Sequence, residues 1–152
     1  MEELKIKRDS VVQALVTYKE AIDIMENPKY DEAWKTSPEM QVLDNESNKD
    51  GIIYKHAAGD LYDLIACNQI TVKPAGGWNR VRIVKNKGKV EHWLNGVKVV
   101  EYDLTVPQWK DMISKSKFST LADFAKTDKN RIGLQDHDCD VWFKNIKIRE
   151  IK

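Results

Sequence analysis

Residues 78–102 read WNRVRIVKNKGKVEHWLNGVKVVEY, from Trp78 to Tyr102, and this stretch decides the fold class. It contains two hairpin signals in succession, Asn86-Lys87-Gly88 and Asn95-Gly96. Asn-Gly between alternating segments is a strong turn signal, because a two-residue turn of the mirror-image type needs positive φ at both central positions. With Asn95 and Gly96 at the tip, Leu94 is expected opposite Val97, Trp93 opposite Lys98, His92 opposite Val99 and Glu91 opposite Val100. Side chains alternate along a strand. One face should therefore carry His92, Leu94, Val97 and Val99, and the other Glu91, Trp93, Lys98, Val100 and Tyr102. The first face reads as core, with His92 a satisfied core histidine. The second mixes aromatics with charge, which suits either solvent or a sugar.

Upstream, Pro74-Ala75-Gly76-Gly77 is a turn leading into a strand at Trp78–Val84, with Val81 and Ile83 on one side and Arg80 and Arg82 on the other. Glu39 to Leu43 alternates and reads as a strand displaying Glu39 and Gln41 two residues apart. A further strand is expected at Ile52 to Lys55, a loop at His56 to Leu64 and a short strand at Gln69 to Val72. Downstream, Pro107 to Lys126 is an irregular connection with a short helix from Gln108 to Ile113. Arg131 to Gln135 and Val141 to Ile151 read as closing strands. Near the start, Val11, Leu15, Tyr18, Ile22 and Met25 recur at 4-3-4-3 spacing behind a capping-box pattern at Ser10 and Gln13, which predicts a helix stopped by Pro28. The β-branched content of Val11 to Val16 also permits a strand. Many short strands separated by turns indicate an all-β fold, a jelly-roll β-sandwich of antiparallel strands over 26–152 with an atypical helical segment over 1–25.

At 152 residues the chain suits one domain. Charged residues make up 32% of it, yet the formal net charge is only +1. Interspersed charge of both signs argues against nucleic acid or a polybasic membrane surface as the main partner. No apolar run approaches the roughly 18 residues of a membrane helix, and no signal-peptide pattern opens the sequence. Cys67 and Cys139 have no metal-type spacing and either form one disulfide or stay free.

Several segments in order carry a family resemblance. They are Pro38-Glu39-Met40-Gln41-Val42-Leu43-Asp44-Asn45, Lys55-His56 with Ala58-Gly59-Asp60-Leu61-Tyr62-Asp63-Leu64-Ile65, and Val72-Lys73-Pro74-Ala75-Gly76-Gly77-Trp78-Asn79. Trp93-Leu94-Asn95-Gly96 and Leu134-Gln135-Asp136-His137 with Val141-Trp142-Phe143-Lys144-Asn145-Ile146 complete the series. From about Glu26 to Ile151 the chain resembles the 3-keto-disaccharide hydrolase domain family, whose fold is a concanavalin-like jelly roll. Members usually enter the Glu26-Asn27-Pro28-Lys29-Tyr30 region from a strand with an Asn-Ser-Gly-Ile motif. Here that strand is absent, so the sandwich is expected to lack its first strands. The unpaired edges this leaves invite partner strands and hence oligomers. Asp138 and Cys139 stand where the family tends to have Gly, and Lys144 where it tends to have Arg, which keeps the charge but loses the planar fork.

The resemblance implies a carbohydrate-active hydrolase or lyase acting on 3-keto glycosides, in a periplasmic or secreted setting. A ketone at C3 acidifies the proton on C2, so a base can remove it and the C1 substituent can leave. The matching motifs nominate Glu39, His56, Asp60 and His137 as catalytic residues. They nominate Gln41, Asp44, Tyr62, Trp93, Gln135 and Lys144 as sugar-binding residues. Asp136, His137, Asp138 and Asp140 lie close enough in sequence to ligate a divalent metal, with Asp136, His137 and Asp138 the first candidates. The alternatives are bland ones. Glu39 on an exposed sheet face is ordinary, Asp60 and the acidic turn at Asp136 are ordinary turn formers, and His56 is an ordinary surface residue. A carbohydrate-binding module without catalysis and a truncated inactive fragment remain the competing readings, since jelly rolls host both enzymes and binders.

Overall fold

The computed structural model describes residues 9–17, 33–126, 132–135 and 140–149, the first of these through backbone pairing. Six strands and one α-helix occur among them: β1 Asp9–Thr17, β2 Trp78–Asn86, β3 Lys89–Leu94, β4 Val97–Asp103, α1 Pro107–Ser114, β5 Asp140–Phe143 and β6 Lys147–Ile148. They make one sheet in the order β4-β3-β2-β1-β5, with β6 also paired to β1. The class is all-β, as the turn pattern predicts.

The two hairpins form where the turn residues require. Lys87 and Gly88 have φ of 47° and 87°, and Asn95 and Gly96 have 53° and 89°. Gly88 is the more constrained of the two glycines, because a Cβ there would meet Thr105 Cγ2 at 2.3 Å. Leu94 pairs with Val97 and Trp93 with Lys98, as expected, but then the register slips at a bulge between His92 and Trp93. His92 therefore pairs with Val100 and Glu91 with Glu101. The extra residue lets both Val99 and Val100 be buried, at 1% and 3% exposure. It also moves Tyr102 off the face of Trp93, where simple alternation put it, and beside His92.

The N-terminal expectation needs correction. Asp9–Thr17 is a strand, not the first turns of a helix, and it pairs in parallel with β2 and β5. The heptad-like spacing of Val11 and Leu15 is outweighed by Val11, Val12, Val16 and Thr17, β-branched residues that suit a strand hydrogen-bonded along both edges. The rest of the expected helix, from Tyr18 to Met25, lies outside the described residues.

Four other expected strands are not strands in the described residues. Only Met40 of Glu39 to Leu43 makes a bridge. Ile52 ends a 3-10 turn, Lys49–Ile52, built on Asp50 and capped by Asn48. Thr71 is held to the hairpin by side chains: its Oγ1 donates to the Leu94 carbonyl at 3.0 Å and its own carbonyl accepts from Asn95 Nδ2 at 2.7 Å. Residues 132–135 carry no strand, Arg131 lies outside the described residues, and the expected strand from Val141 is split into β5 and β6 around Asn145, whose φ is 53°.

One face of β2-β3-β4 is covered from two directions. Met40, Leu61 and Leu64 come from the irregular segment before β2, and Trp109, Phe118 and Phe124 from the connection after β4. Pro107 begins α1 at the position where a missing N–H costs nothing. The opposite face carries Arg82, whose guanidinium lies 4.1 Å from the Trp93 ring centroid, and Glu91, which accepts from Trp93 Nε1 at 2.8 Å. Lys98 bridges Glu91 and Glu101 there. Among the described residues no helix is long and apolar enough to cross a membrane.

Candidate active site

Two of the motif segments are joined by backbone. Tyr62 N–H donates to the Glu39 carbonyl at 3.0 Å, Gln41 N–H to the Asp60 carbonyl at 3.0 Å, and Gly59 N–H to the Gln41 carbonyl at 2.9 Å. These bonds bracket the antiparallel bridge between Met40 and Leu61, both buried in the core. The buried pair acts as a rivet, and the partly buried Glu39 and Gln41 are carried alongside the 59–62 segment. Gln41 also lines a small groove with Val72, Lys73, Asn79 and Leu94. Asn79 fixes the far rim of that groove: its Oδ1 accepts from Lys73 N–H at 2.8 Å and its Nδ2 donates to the Lys73 carbonyl at 3.1 Å.

Next to Tyr62 stands His56, with ring centroids 4.4 Å apart. The His56 side chain is only 14% exposed and lies between two carboxylates, Nε2 at 3.4 Å from Asp63 Oδ1 and Nδ1 at 3.9 Å from Asp50 Oδ2. Nδ1 is buried without a hydrogen-bond partner among the described residues. The loop is held in an unusual shape to achieve this. Lys55 and Asp63 have φ of 68° and 60°, the left-handed region that side-chain-bearing residues rarely adopt, and Asp63 N–H donates to the Lys55 carbonyl at 2.9 Å. Above the Tyr62 ring, 3.9 Å from its centroid, sits the ammonium of Lys117.

Asp60 occupies a different environment from the one its nomination as a catalytic group requires. It is 1% exposed, with Oδ2 accepting from Ala57 N–H at 2.8 Å and Oδ1 from Cys67 N–H at 2.7 Å. Its carboxylate is thus engaged in closing the 57–67 loop. Burial and the neighbouring Asp60 push the Cys67 thiol up to about 12, and Cys67 is a free thiol. Cys139, its candidate disulfide partner, lies outside the described residues.

The other nominated residues are scattered. Asp44 spends both oxygens on its own turn, on Glu46 N–H at 3.1 Å and Ser47 Oγ at 2.7 Å. Trp93 is on the opposite face of the sheet from the buried His92, packed by Arg82 and Glu91. Lys144 lies over the Trp78 ring, 3.4 Å from its centroid, and Gln135 is exposed. His137, Asp136 and Asp138 lie outside the described residues, so the metal expectation falls there. Among the described residues no group of three His, Cys, Asp or Glu side chains is placed to hold a metal ion.

The structure therefore joins the backbone of 39–41 to that of 59–62 and sets His56 against Tyr62, and it adds three residues that were not nominated. Asp50, Asp63 and Lys117 carried no sequence signal of their own. Asp63 sat inside a matching motif without a role, Asp50 read as part of a polar loop, and Lys117 lay in a connection read as irregular.

Beside the sheet, the structure thus places a mixed cluster of aromatic, carboxylate and imidazole groups. The model of the 3-keto-alpha-glucoside-1,2-lyase-like domain matches residues 3–149, and the chain belongs to that family. It is 37% identical over 127 residues to a 3-keto-disaccharide hydrolase of Bacteroides thetaiotaomicron, covering 75% of this chain and 44% of the relative. Among solved structures it is similar to a candidate glycosyl hydrolase from Parabacteroides distasonis, at 29% identity and a TM-score of 0.61, over 68% of this chain and 50% of the other. The chain spans about half the length of these relatives. The family match takes in Asp9–Thr17, a stretch that looked unrelated to the family when read as helix.

Proposed function

We propose that the chain cleaves 3-keto glycosides by removing the C2 proton and eliminating the C1 substituent, with Glu39 and His56 as the acid–base pair. The observation that carries this reading is the backbone joining of 39–41 to 59–62, together with the Tyr62 ring 4.4 Å from that of His56. In the first half of the reaction a base takes the C2 proton, the C–H electron pair becomes the C2–C3 double bond, and the C3 oxygen takes the negative charge. That enolate then collapses, the C1–O bond breaks with its electrons, and the leaving oxygen receives a proton. Water adds across the resulting enone to give net hydrolysis. Gln41, with both an amide donor and an acceptor, is suited to orienting a sugar hydroxyl. The description of the family, a 3-keto-alpha-glucoside-1,2-lyase-like domain, and the name of the Bacteroides relative, a 3-keto-disaccharide hydrolase, support the substrate class.

Incubating the folded chain with a 3-keto disaccharide and following enone absorbance and released sugar tests this. Turnover that falls at least about 10²-fold in Glu39→Gln is the expected result, in line with the usual contribution of a general base. Absence of turnover in a well-folded chain would overturn it. A second reading, sugar binding without turnover, draws on the engagement of Asp60 and Asp44 by backbone and turn groups. Calorimetric sugar binding that survives Glu39→Gln, with no product formed by either protein, would favour it.

A further inference from the structure

The reaction read above puts a negative charge on the C3 oxygen, yet the acid–base groups on the site are flanked by carboxylates: Asp50 and Asp63 around His56, and Glu39 itself. A cationic group beside that oxygen would stabilise the developing charge, as preorganised hydrogen-bond donors do. Among the described residues, two ammonium groups rest on tyrosine rings of the 54–62 segment. Lys55 Nζ is 5.5 Å from the Tyr54 ring centroid, over a ring that is 76% exposed. Lys117 Nζ is 3.9 Å from the Tyr62 ring centroid and 5.3 Å from that of Phe118, and makes no ion pair among the described residues. Tyr62 is the residue that the backbone bond to Glu39 places in the site.

The backbone of Lys117 is well anchored. It opens the 3-10 turn Lys117–Thr120, and Ser116 Oγ caps that turn by accepting from Phe118 N–H at 3.1 Å. Phe118 is 2% exposed and stacks on Phe124 with centroids 4.2 Å apart. The residue next to Lys117 is therefore locked into the core, while the lysine itself is exposed and its ammonium rests on the π-face of Tyr62. Aromatic contact holds the cation in place without neutralising it.

We propose that Lys117 is a catalytic residue of this site, its ammonium binding the C3 ketone oxygen of the sugar and the negative charge that develops there. The proposal rests on the lyase-type reading of the previous subsection. It assigns the connection after β4 to the active site, and it makes the ketone itself a recognition element: a parent disaccharide with a C3 hydroxyl offers no oxygen that becomes anionic.

Lys117→Met keeps the length and removes the charge, and Lys117→Arg keeps the charge. With a 3-keto disaccharide, Lys117→Met is expected to lower kcat about 10²-fold with KM changed by less than about threefold, the size seen when one oxyanion-stabilising group is lost. Lys117→Arg should recover all but about tenfold of the loss. If the unaltered chain turns over and Lys117→Met stays within about threefold of it, the role of Lys117 is overturned and the reaction stands. Equal loss in both variants, with unchanged circular dichroism, also overturns it, since charge would then be irrelevant. If the unaltered chain gives no product, the reaction falls, and calorimetry with the 3-keto disaccharide and its parent decides Lys117. A preference for the keto sugar that disappears in Lys117→Met upholds the ketone contact, whereas equal affinity for both sugars, or no binding, overturns it.

Discussion

The hydroxyl of Tyr102 lies 3.5 Å from His92 Nε2, while His92 Nδ1 lies 3.3 Å from the Gly59 carbonyl oxygen. A carbonyl only accepts, so Nδ1 carries the proton and Nε2 is left to accept from Tyr102. The tyrosine ring in turn stacks on Trp109 with centroids 5.2 Å apart. One neutral imidazole thus ties β3 to the loop before β2, to β4 and to α1.

That arrangement has a pH signature. Burial pushes His92 from its ordinary 6.5 down to about 4. The unfolded chain binds a proton there before the folded one does, so the contribution is intact above pH 6.5 and lost progressively as pH falls from 6.5 towards 4. At about 1.4 kcal/mol per unit the full loss is about 3 kcal/mol. Urea unfolding at pH 7 and pH 4.5 should show a lower midpoint at the acid end, and His92→Phe should remove much of that difference while lowering stability at pH 7.

Asp60 is expected to behave as a structural residue. Asp60→Asn turns one of two acceptors that face backbone N–H groups into a donor, at a site with 1% exposure. A loss of about 2–4 kcal/mol is anticipated from the unpaired amide and the lost charge-assisted bond. Denaturant melts would register it, and a folded Asp60→Asn protein of normal stability but no activity would instead point to catalysis.

The two hairpin turns should differ in their tolerance of a methyl group. Gly88→Ala meets Thr105 Cγ2 at 2.3 Å and carries the cost of a positive φ, whereas Gly96→Ala meets nothing within 4 Å and carries the φ cost alone. Thermal melts should place Gly96→Ala about 1 kcal/mol below the parent, in keeping with the left-handed penalty. Gly88→Ala should fall clearly further, and equal losses would contradict the close approach.

Cys67 should react slowly. With its thiol pushed up to about 12 by burial and by Asp60, almost none is thiolate at pH 8, and the thiolate is the reactive form. Ellman labelling of a folded Cys139→Ser chain at pH 8 should be slow and should accelerate sharply in denaturant. Fast labelling of the native protein would show that the loop closed by Asp60 opens readily.

What the sequence disclosed follows the range of the forces involved. The Asn95-Gly96 turn was legible because its cause lies within the turn itself, and Leu94 opposite Val97 followed from it. The bulge between His92 and Trp93 was not legible, since it depends on how Val99 and Val100 share the core. Glu39 and Gln41 were visible as an alternating pair, but what positions them is a set of backbone bonds to residues some twenty positions away. Lys117 was invisible for the same reason: nothing near it in the chain mentions Tyr62. β1 reads first as helix, with a strand at Val11 to Val16 as the alternative, because two spacings fit the same residues, and the neighbouring strands choose the second.

The position of β1 also dictates an order of events. Its Val11 lies opposite both Trp78 and Trp142, so its two neighbours in the sheet are encoded far downstream and on either side of the hairpins. The hairpins can close from local contacts on a microsecond scale, but the central parallel strand has to wait for long loops to close. During synthesis, Asp9–Thr17 emerges long before Asp140–Phe143 exists, as an apolar β-prone segment with both edges open. The completed protein should therefore show a fast phase for β2-β3-β4 and a slow phase for docking of β1, and its risk of aggregation on the ribosome should lie in those nine residues.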